Sequence, residues 1–175
     1  MKNIPNILSF LRILLIPAFV WLMHTDQTMA AAIVLGISGI TDMLDGFLAR
    51  RFDWVTPLGK LLDPAADKLT QVAVCIVLAV RLRTYGPFFI LLLLKEVIML
   101  IGSAYLIKKQ VKLEGAKWFG KLGTVLFYVS MTLIVFVPDM PGPVTAALLG
   151  ATTACALLAA IMYIPEFSKY KEEIH

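Results

Sequence analysis

Charge is what this chain has least of. Asp, Glu, Lys and Arg together make up 16% of its 175 residues, where a soluble globular domain carries about a quarter. The shortfall excludes an ordinary water-facing surface, and the mean hydropathy of +0.84 agrees. The two cysteines, Cys75 and Cys155, stand inside apolar stretches and form no metal-binding spacing, so they read as small buried hydrophobes. Histidine is as scarce: His24 lies in a short loop and His175 at the terminus. No basic run has the length or aromatic interleaving that nucleic acid would need. The net charge of +4 points instead to topogenic loops and anionic lipid headgroups. Internal repeats are missing too, which counts against transporter folds built from duplicated halves. At this length there is no room for a separate soluble domain, and residues 1–175 read as a single membrane domain.

What the chain does have is apolar length. Six segments can be marked, at 7–24, 28–49, 60–80, 86–107, 119–138 and 142–165. No charge occurs between Met140 and Pro165, enough to cross a core of about 30 Å as a helix. Uninterrupted runs of this kind lack the alternation of barrel strands, so helices follow. Lys2, the run Ile13 to Met23 and the small residues Ala30, Ala31 and Ala32 superficially resemble a secretory signal. The apolar character continues directly into the next segment, however, and the reading is an uncleaved first span. Asn3 to Phe10 mix polar and apolar groups and suggest a short interfacial helix before that span. With the N-terminus inside, twelve Lys and Arg residues fall on the cytoplasmic side and only Arg81 and Arg83 outside. The expected fold is therefore all-α: a polytopic bundle of six transmembrane helices, N-in and C-in.

The informative stretch runs from Thr41 to Lys68. Asp42 and Asp45 are three apart and Asp63 and Asp67 four apart, so each pair projects from one helix face. At a rise of 1.5 Å per residue, a second span entering near residue 29 carries Asp42 about 20 Å and Asp45 about 24 Å along its length. A third span starting at Lys60 puts Asp63 about 5 Å and Asp67 about 10 Å deep. Two antiparallel helices thus bring four carboxylates to one level. Four anions there repel one another and are costly to desolvate. Protonation relieves this, and divalent cations relieve it better; all-carboxylate ligation selects Mg²⁺, Mn²⁺ or Ca²⁺ over thiophilic metals. Two ions sharing carboxylates are the usual device for stabilising attacking and leaving oxygens in phosphoryl transfer. Gly46, Ala49 and Gly59 have two readings, close helix packing or clearance for a pyrophosphate. Arg50 likewise reads as a phosphate ligand or as a topogenic charge.

Asp42, Asp45, Gly46, Ala49, Arg50, Gly59, Asp63 and Asp67 are eight residues at fixed spacing across 26 positions. At every one of them the stretch resembles the signature of the CDP-alcohol phosphatidyltransferase family. The resemblance implies six spans, with the motif bridging the second and third. It also implies that Asp42, Asp45, Asp63 and Asp67 hold two divalent ions, Mg²⁺ or Mn²⁺, and that Asp67 is the candidate catalytic base. Asp45, Gly46, Ala49, Arg50 and Gly59 would contact the CDP moiety.

The acceptor is read from other stretches. The opening Ile4-Pro5-Asn6-Ile7-Leu8-Ser9, with Arg12, is similar to the start of bacterial family members that use glycerol 3-phosphate. Lys95-Glu96 falls where those members show Arg-Glu; such a pair in mid-span is a functional candidate or a self-neutralising structural pair. Lys117 to Thr124 resembles the family's Gly-Lys stretch before span five, although Gly123 stands where a second lysine is common. Lys117 and Lys121, one turn apart, would clamp the acceptor's phosphate, or else serve topology alone. The implied activity is transfer of a phosphatidyl group from CDP-diacylglycerol to glycerol 3-phosphate, releasing CMP, in phospholipid biosynthesis. The implied setting is the lipid bilayer of the cell membrane, with the site near the cytoplasmic face and a homodimer as the assembly. Phosphatidylglycerol as acceptor, the cardiolipin-forming reaction, is the alternative within the family. A divalent-cation transporter is the alternative from another class. Against it stand the single acidic cluster and the Gly, Ala and Arg positions that ion conduction does not require.

Overall fold

The computed structural model describes residues 4–52, 59–108 and 118–172. They form six α-helices and one short 3₁₀ turn, with no strand among the described residues. The helices are α1 (Ile4–His24), α2 (Thr28–Arg51), α3 (Gly59–Arg81), α4 (Gly86–Lys108), α5 (Trp118–Phe136) and α6 (Gly142–Glu172). Each coincides with one of the six apolar segments. Residues 4–10 do not form a helix of their own but continue into α1 without a break. Pro5 sits in the first turn, where a missing N–H costs nothing, and no breaker follows before residue 17. Pro17 in α1 and Pro64 in α3 each remove one N–H from a helix interior.

Among the described residues, four stretches are long and apolar enough to cross a membrane: Asn6–His24, Thr28–Asp45, Arg83–Ile101 and Gly142–Met162. In α5 the apolar stretch is shorter, Gly120–Phe136. The third expected span falls short on its own because α3 opens with Lys60, Asp63, Asp67 and Lys68 inside its first ten residues. The distribution of side chains is that of a bilayer protein. Large apolar residues are exposed on every helix, among them Leu14, Ile37, Ile76, Leu94, Val129 and Leu158. Polar groups such as Arg12, Asp45, Gln71 and Glu96 are buried. In water that inversion would be unstable; against lipid it buries the polar surface and exposes the apolar.

The helices pack as a closed ring. α1 lies against both α2 and α3, α2 continues to α5, α5 to α6, α6 to α4, and α4 returns to α3. Ala31, Leu35, Phe89, Met131 and Leu149 fill the centre, each no more than 1% exposed. Cys75 is buried among them, and Cys155 is half-buried; both are free thiols. The α2–α5 contact is close, with an identifiable cause. A Cβ at Gly39 would stand 3.0–3.2 Å from three atoms of Tyr128, so only glycine admits that ring at this separation. Thr152 donates a hydrogen bond to Ser130 (2.8 Å), joining α6 to α5 inside the ring.

Charges at the far end of the bundle pair locally. Arg81 bridges Asp26 (2.9 Å) and donates to the Met23 carbonyl (3.2 Å), tying the end of α3 to the α1–α2 turn. Asp26 itself holds the left-handed conformation (φ 57°) that tightens this turn. The opposite end, where α1 and α3 begin and α2 finishes, carries the site.

Candidate functional site

Three aspartates from two helices converge near that end. Asp42 and Asp45 leave α2 one turn apart, and Asp63 leaves the first turn or so of α3. One carboxylate oxygen from each lies within 4.8 Å of the other two. Asp45 is 2% exposed, Asp42 21% and Asp63 45%, so the cluster grades from the bundle interior towards its mouth. From the helix ends, Asp63 is about 6 Å and Asp45 about 9 Å inside the bundle.

The centre of the cluster is held by a residue that the sequence reading had counted with the cytoplasmic-side charges and with the opening stretch similar to members that use glycerol 3-phosphate. Arg12, on α1, is fully buried and turns its guanidinium between the three carboxylates. Nη1 donates to Asp42 Oδ1 at 2.5 Å, Nη2 donates to Asp45 Oδ2, and the same Nη2 lies 3.5 Å from Asp63 Oδ1. A planar fork with several N–H groups is what allows one side chain to reach acids on two different helices. The signal was present in the sequence: an arginine in the third turn of an apolar helix, at the depth of the aspartates, is a functional candidate by default.

Asp67, the fourth motif aspartate, stands outside the three-oxygen group. One turn further along α3, the Gln71 amide donates to both of its carboxylate oxygens at 3.0 Å. Beyond it lies a second ionic group. Glu96 on α4, 6% exposed, pairs with Lys68 across the α3–α4 contact at 2.5 Å and with its neighbour Lys95. The mid-span Lys95-Glu96 pair is thus extended by a third member from α3, which the sequence reading did not include.

The remaining candidates fare differently. Gly59 is the half-buried first residue of α3. Gly46, Ala49 and Arg50 belong to the last turns of α2, but they lie outside the residues whose side chains are described. Lys117 also lies outside the described residues. Lys121 is exposed in the first turn of α5. Gly39 faces Tyr128 and Gly36 faces Thr132, so α2 and α5 run antiparallel, and in that register Lys121 lies level with residues 46 and 47.

Hard oxygen donors alone line the cluster, which suits Mg²⁺ or Mn²⁺ and not a thiophilic metal. Three carboxylates carry more negative charge than one guanidinium offsets, which leaves the cluster attractive to divalent cations. The donor set therefore fits a divalent cation.

The family model for CDP-alcohol phosphatidyltransferase matches residues 2–164. A CDP-diacylglycerol–glycerol-3-phosphate 3-phosphatidyltransferase of Pseudomonas fluorescens is 50% identical over 82 residues, covering 45% of this chain and 42% of that protein. The protein of the same name from Escherichia coli K12 is 31% identical over 147 residues, 79% of each chain. A cardiolipin synthase (CMP-forming) of Streptomyces coelicolor is 33% identical over 139 residues, 76% of this chain and 65% of its own. The matches thus span from under half to about four fifths of these relatives' lengths.

Proposed function

Because the chain belongs to the CDP-alcohol phosphatidyltransferase family, we propose that it transfers the phosphatidyl group of CDP-diacylglycerol to glycerol 3-phosphate, forming phosphatidylglycerophosphate and CMP. The observation that carries this reading is the convergence of Asp42, Asp45 and Asp63 inside a helical bundle with a lipid-facing exterior. Relatives named for this reaction match the chain over as much as 79% of its length.

Asp42, Asp45 and Asp63, with Asp67, are the residues that would hold two Mg²⁺ or Mn²⁺ ions. Bound there, such ions would supply neutralisation of charge on the pyrophosphate oxygens. Asp45, Gly46, Ala49, Arg50 and Gly59 are assigned to the CDP moiety: glycines and alanine leave room for the phosphates, and Arg50 offers a fork of N–H donors to them. In the reaction the acceptor hydroxyl oxygen bonds to the β-phosphorus, the bond from that phosphorus to the CMP oxygen breaks, and the hydroxyl proton leaves to a base. Asp67 is assigned as that base. Two hydrogen bonds from Gln71 fix the direction of its carboxylate, which favours a defined proton acceptor over a freely rotating one. Lys117 and Lys121 are assigned to the phosphate of the acceptor. The topology is N-in and C-in, with the site facing the cytoplasm across the cell membrane, and the assembly is a homodimer.

The Streptomyces coelicolor relative favours a second reading, in which phosphatidylglycerol is the acceptor and cardiolipin the product. One experiment separates the two. Purified protein with CDP-diacylglycerol and Mg²⁺ is offered glycerol 3-phosphate, phosphatidylglycerol, inositol phosphate and serine in parallel, and CMP release is measured. Glycerol 3-phosphate should give the fastest release, and EDTA should stop it. Release with phosphatidylglycerol alone would replace the first reading by the second.

A further inference from the structure

Arg12 is an unusual neighbour for a metal centre. It is a cation with no exposed surface, and its Nη atoms contact the carboxylate oxygens. Its contacts are with the same three aspartates whose oxygens form the candidate metal group. We propose that Arg12 is a built-in counter-cation of this cluster: its guanidinium occupies the oxygens a divalent ion would take, so that binding of the ion and the Arg12 contacts oppose one another. The inference rests on the metal reading given under Proposed function.

Space argues for it. Mg²⁺ or Mn²⁺ holds oxygens at about 2.0–2.2 Å, which places adjacent ligand oxygens about 3 Å apart. Here one oxygen of each aspartate lies within 4.8 Å of the other two, and the guanidinium nitrogens contact an oxygen of each of the three. For an ion to enter, the oxygens must draw together and Nη2, which reaches both Asp45 and Asp63, must withdraw. Charge argues in the same direction, since a guanidinium and a divalent ion a few ångströms apart repel strongly where water is excluded. Topology gives the device its use. Arg12 belongs to α1 while its partners belong to α2 and α3, so in the metal-free protein it ties three helices together through anions that would otherwise push them apart. Linkage then requires reciprocity: if the ion weakens the Arg12 contacts, the Arg12 contacts weaken the ion.

A purely architectural arginine predicts the opposite sign. If Arg12 only positions the aspartates for metal, its removal must loosen the site and weaken the ion. Mn²⁺ titration of the full chain in detergent, with free Mn²⁺ read by electron paramagnetic resonance, separates the two without any dependence on turnover. Arg12→Gln should bind Mn²⁺ at least tenfold more tightly than the unaltered chain, and its melting temperature should be lower without Mn²⁺ yet rise further when Mn²⁺ is added. Arg12→Lys keeps the charge but replaces the fork by a point donor, so it should bind Mn²⁺ more tightly by a smaller factor. If Arg12→Gln does not fold, Arg12→Lys decides alone. Unchanged or weakened Mn²⁺ binding in the variants, with normal binding by the unaltered chain, overturns the counter-cation and leaves the metal centre standing. No binding by the unaltered chain overturns both.

Discussion

Asp45 and Asp63 both contact Arg12, yet their burial sets them apart, and Asn substitutions should expose the difference. Asp45 is 2% exposed and paired with a fully buried guanidinium, whereas Asp63 is 45% exposed and 3.5 Å from it. Breaking a buried ion pair from one side costs about 3–5 kcal/mol because the surviving charge is left uncompensated. Asp42 still holds the other arm of Arg12, so Asp45→Asn belongs at the lower end, about 3 kcal/mol. An exposed pair is worth about 1 kcal/mol or less, which is the ceiling for Asp63→Asn. For a chain of this size each kcal/mol moves the melting temperature by about 2–4 °C, giving a fall of roughly 6–12 °C against at most about 4 °C. Both variants should nevertheless lose CMP release by at least about a thousandfold, the loss of one directly acting ligand being worth several kcal/mol in the transition state. The assay is paired: thermal unfolding in detergent with EDTA, then CMP release with Mg²⁺. Equal melting temperatures would refute the graded burial, and near-normal rates in both variants would refute the shared metal site.

Gln71→Leu removes the two hydrogen bonds to Asp67 while nearly keeping volume; charge-assisted bonds are worth about 1.5–3 kcal/mol, so kcat should fall about 10–100-fold with little change in KM for CDP-diacylglycerol. A normal kcat would end the base assignment for Asp67. Lys121→Gln should raise KM for glycerol 3-phosphate several-fold and leave KM for CDP-diacylglycerol unchanged, and raised ionic strength should act on the unaltered chain in the same direction. Altered membrane insertion with an unchanged KM would assign Lys121 to topology. Reporter tags after Asp26, Thr84 and Met140 should read as external and tags at both termini as cytoplasmic; termini on opposite sides would exclude an even number of spans.

How much of this was legible beforehand depends on the range over which each feature acts. Helix positions follow from runs of apolar residues, and all six were marked to within a few residues, save the first three residues of α1 and the long C-terminal extension of α6. The level shared by Asp42, Asp45 and Asp63 follows from the constant helical rise and needs no tertiary information. For Arg12 the sequence marks a functional candidate, but its partners need tertiary information. Its partners lie 30, 33 and 51 residues away, and a positive charge near a helix start already has a sufficient explanation in topology. The direction taken by Asp67 was hidden for another reason. Spacing places a side chain on a helix face, but a rotamer decides whether it turns towards Asp63 or towards Gln71. Lys68 joined the Lys95-Glu96 pair only through the packing of α3 on α4, a contact that the sequence pattern does not encode.

The arrangement of Arg12 with Asp42 and Asp45 also bears on biogenesis. All three lie in α1 and α2, consecutive helices joined by a short turn, and Arg12 pairs with both aspartates. A lone arginine or aspartate resists transfer from the translocon into lipid by a few kcal/mol each. Inserted together as a hairpin, the arginine and one aspartate cancel, and the pair presents the bilayer with a single uncompensated negative charge. The contact at the centre of the site thus lightens the entry of these two helices into the bilayer.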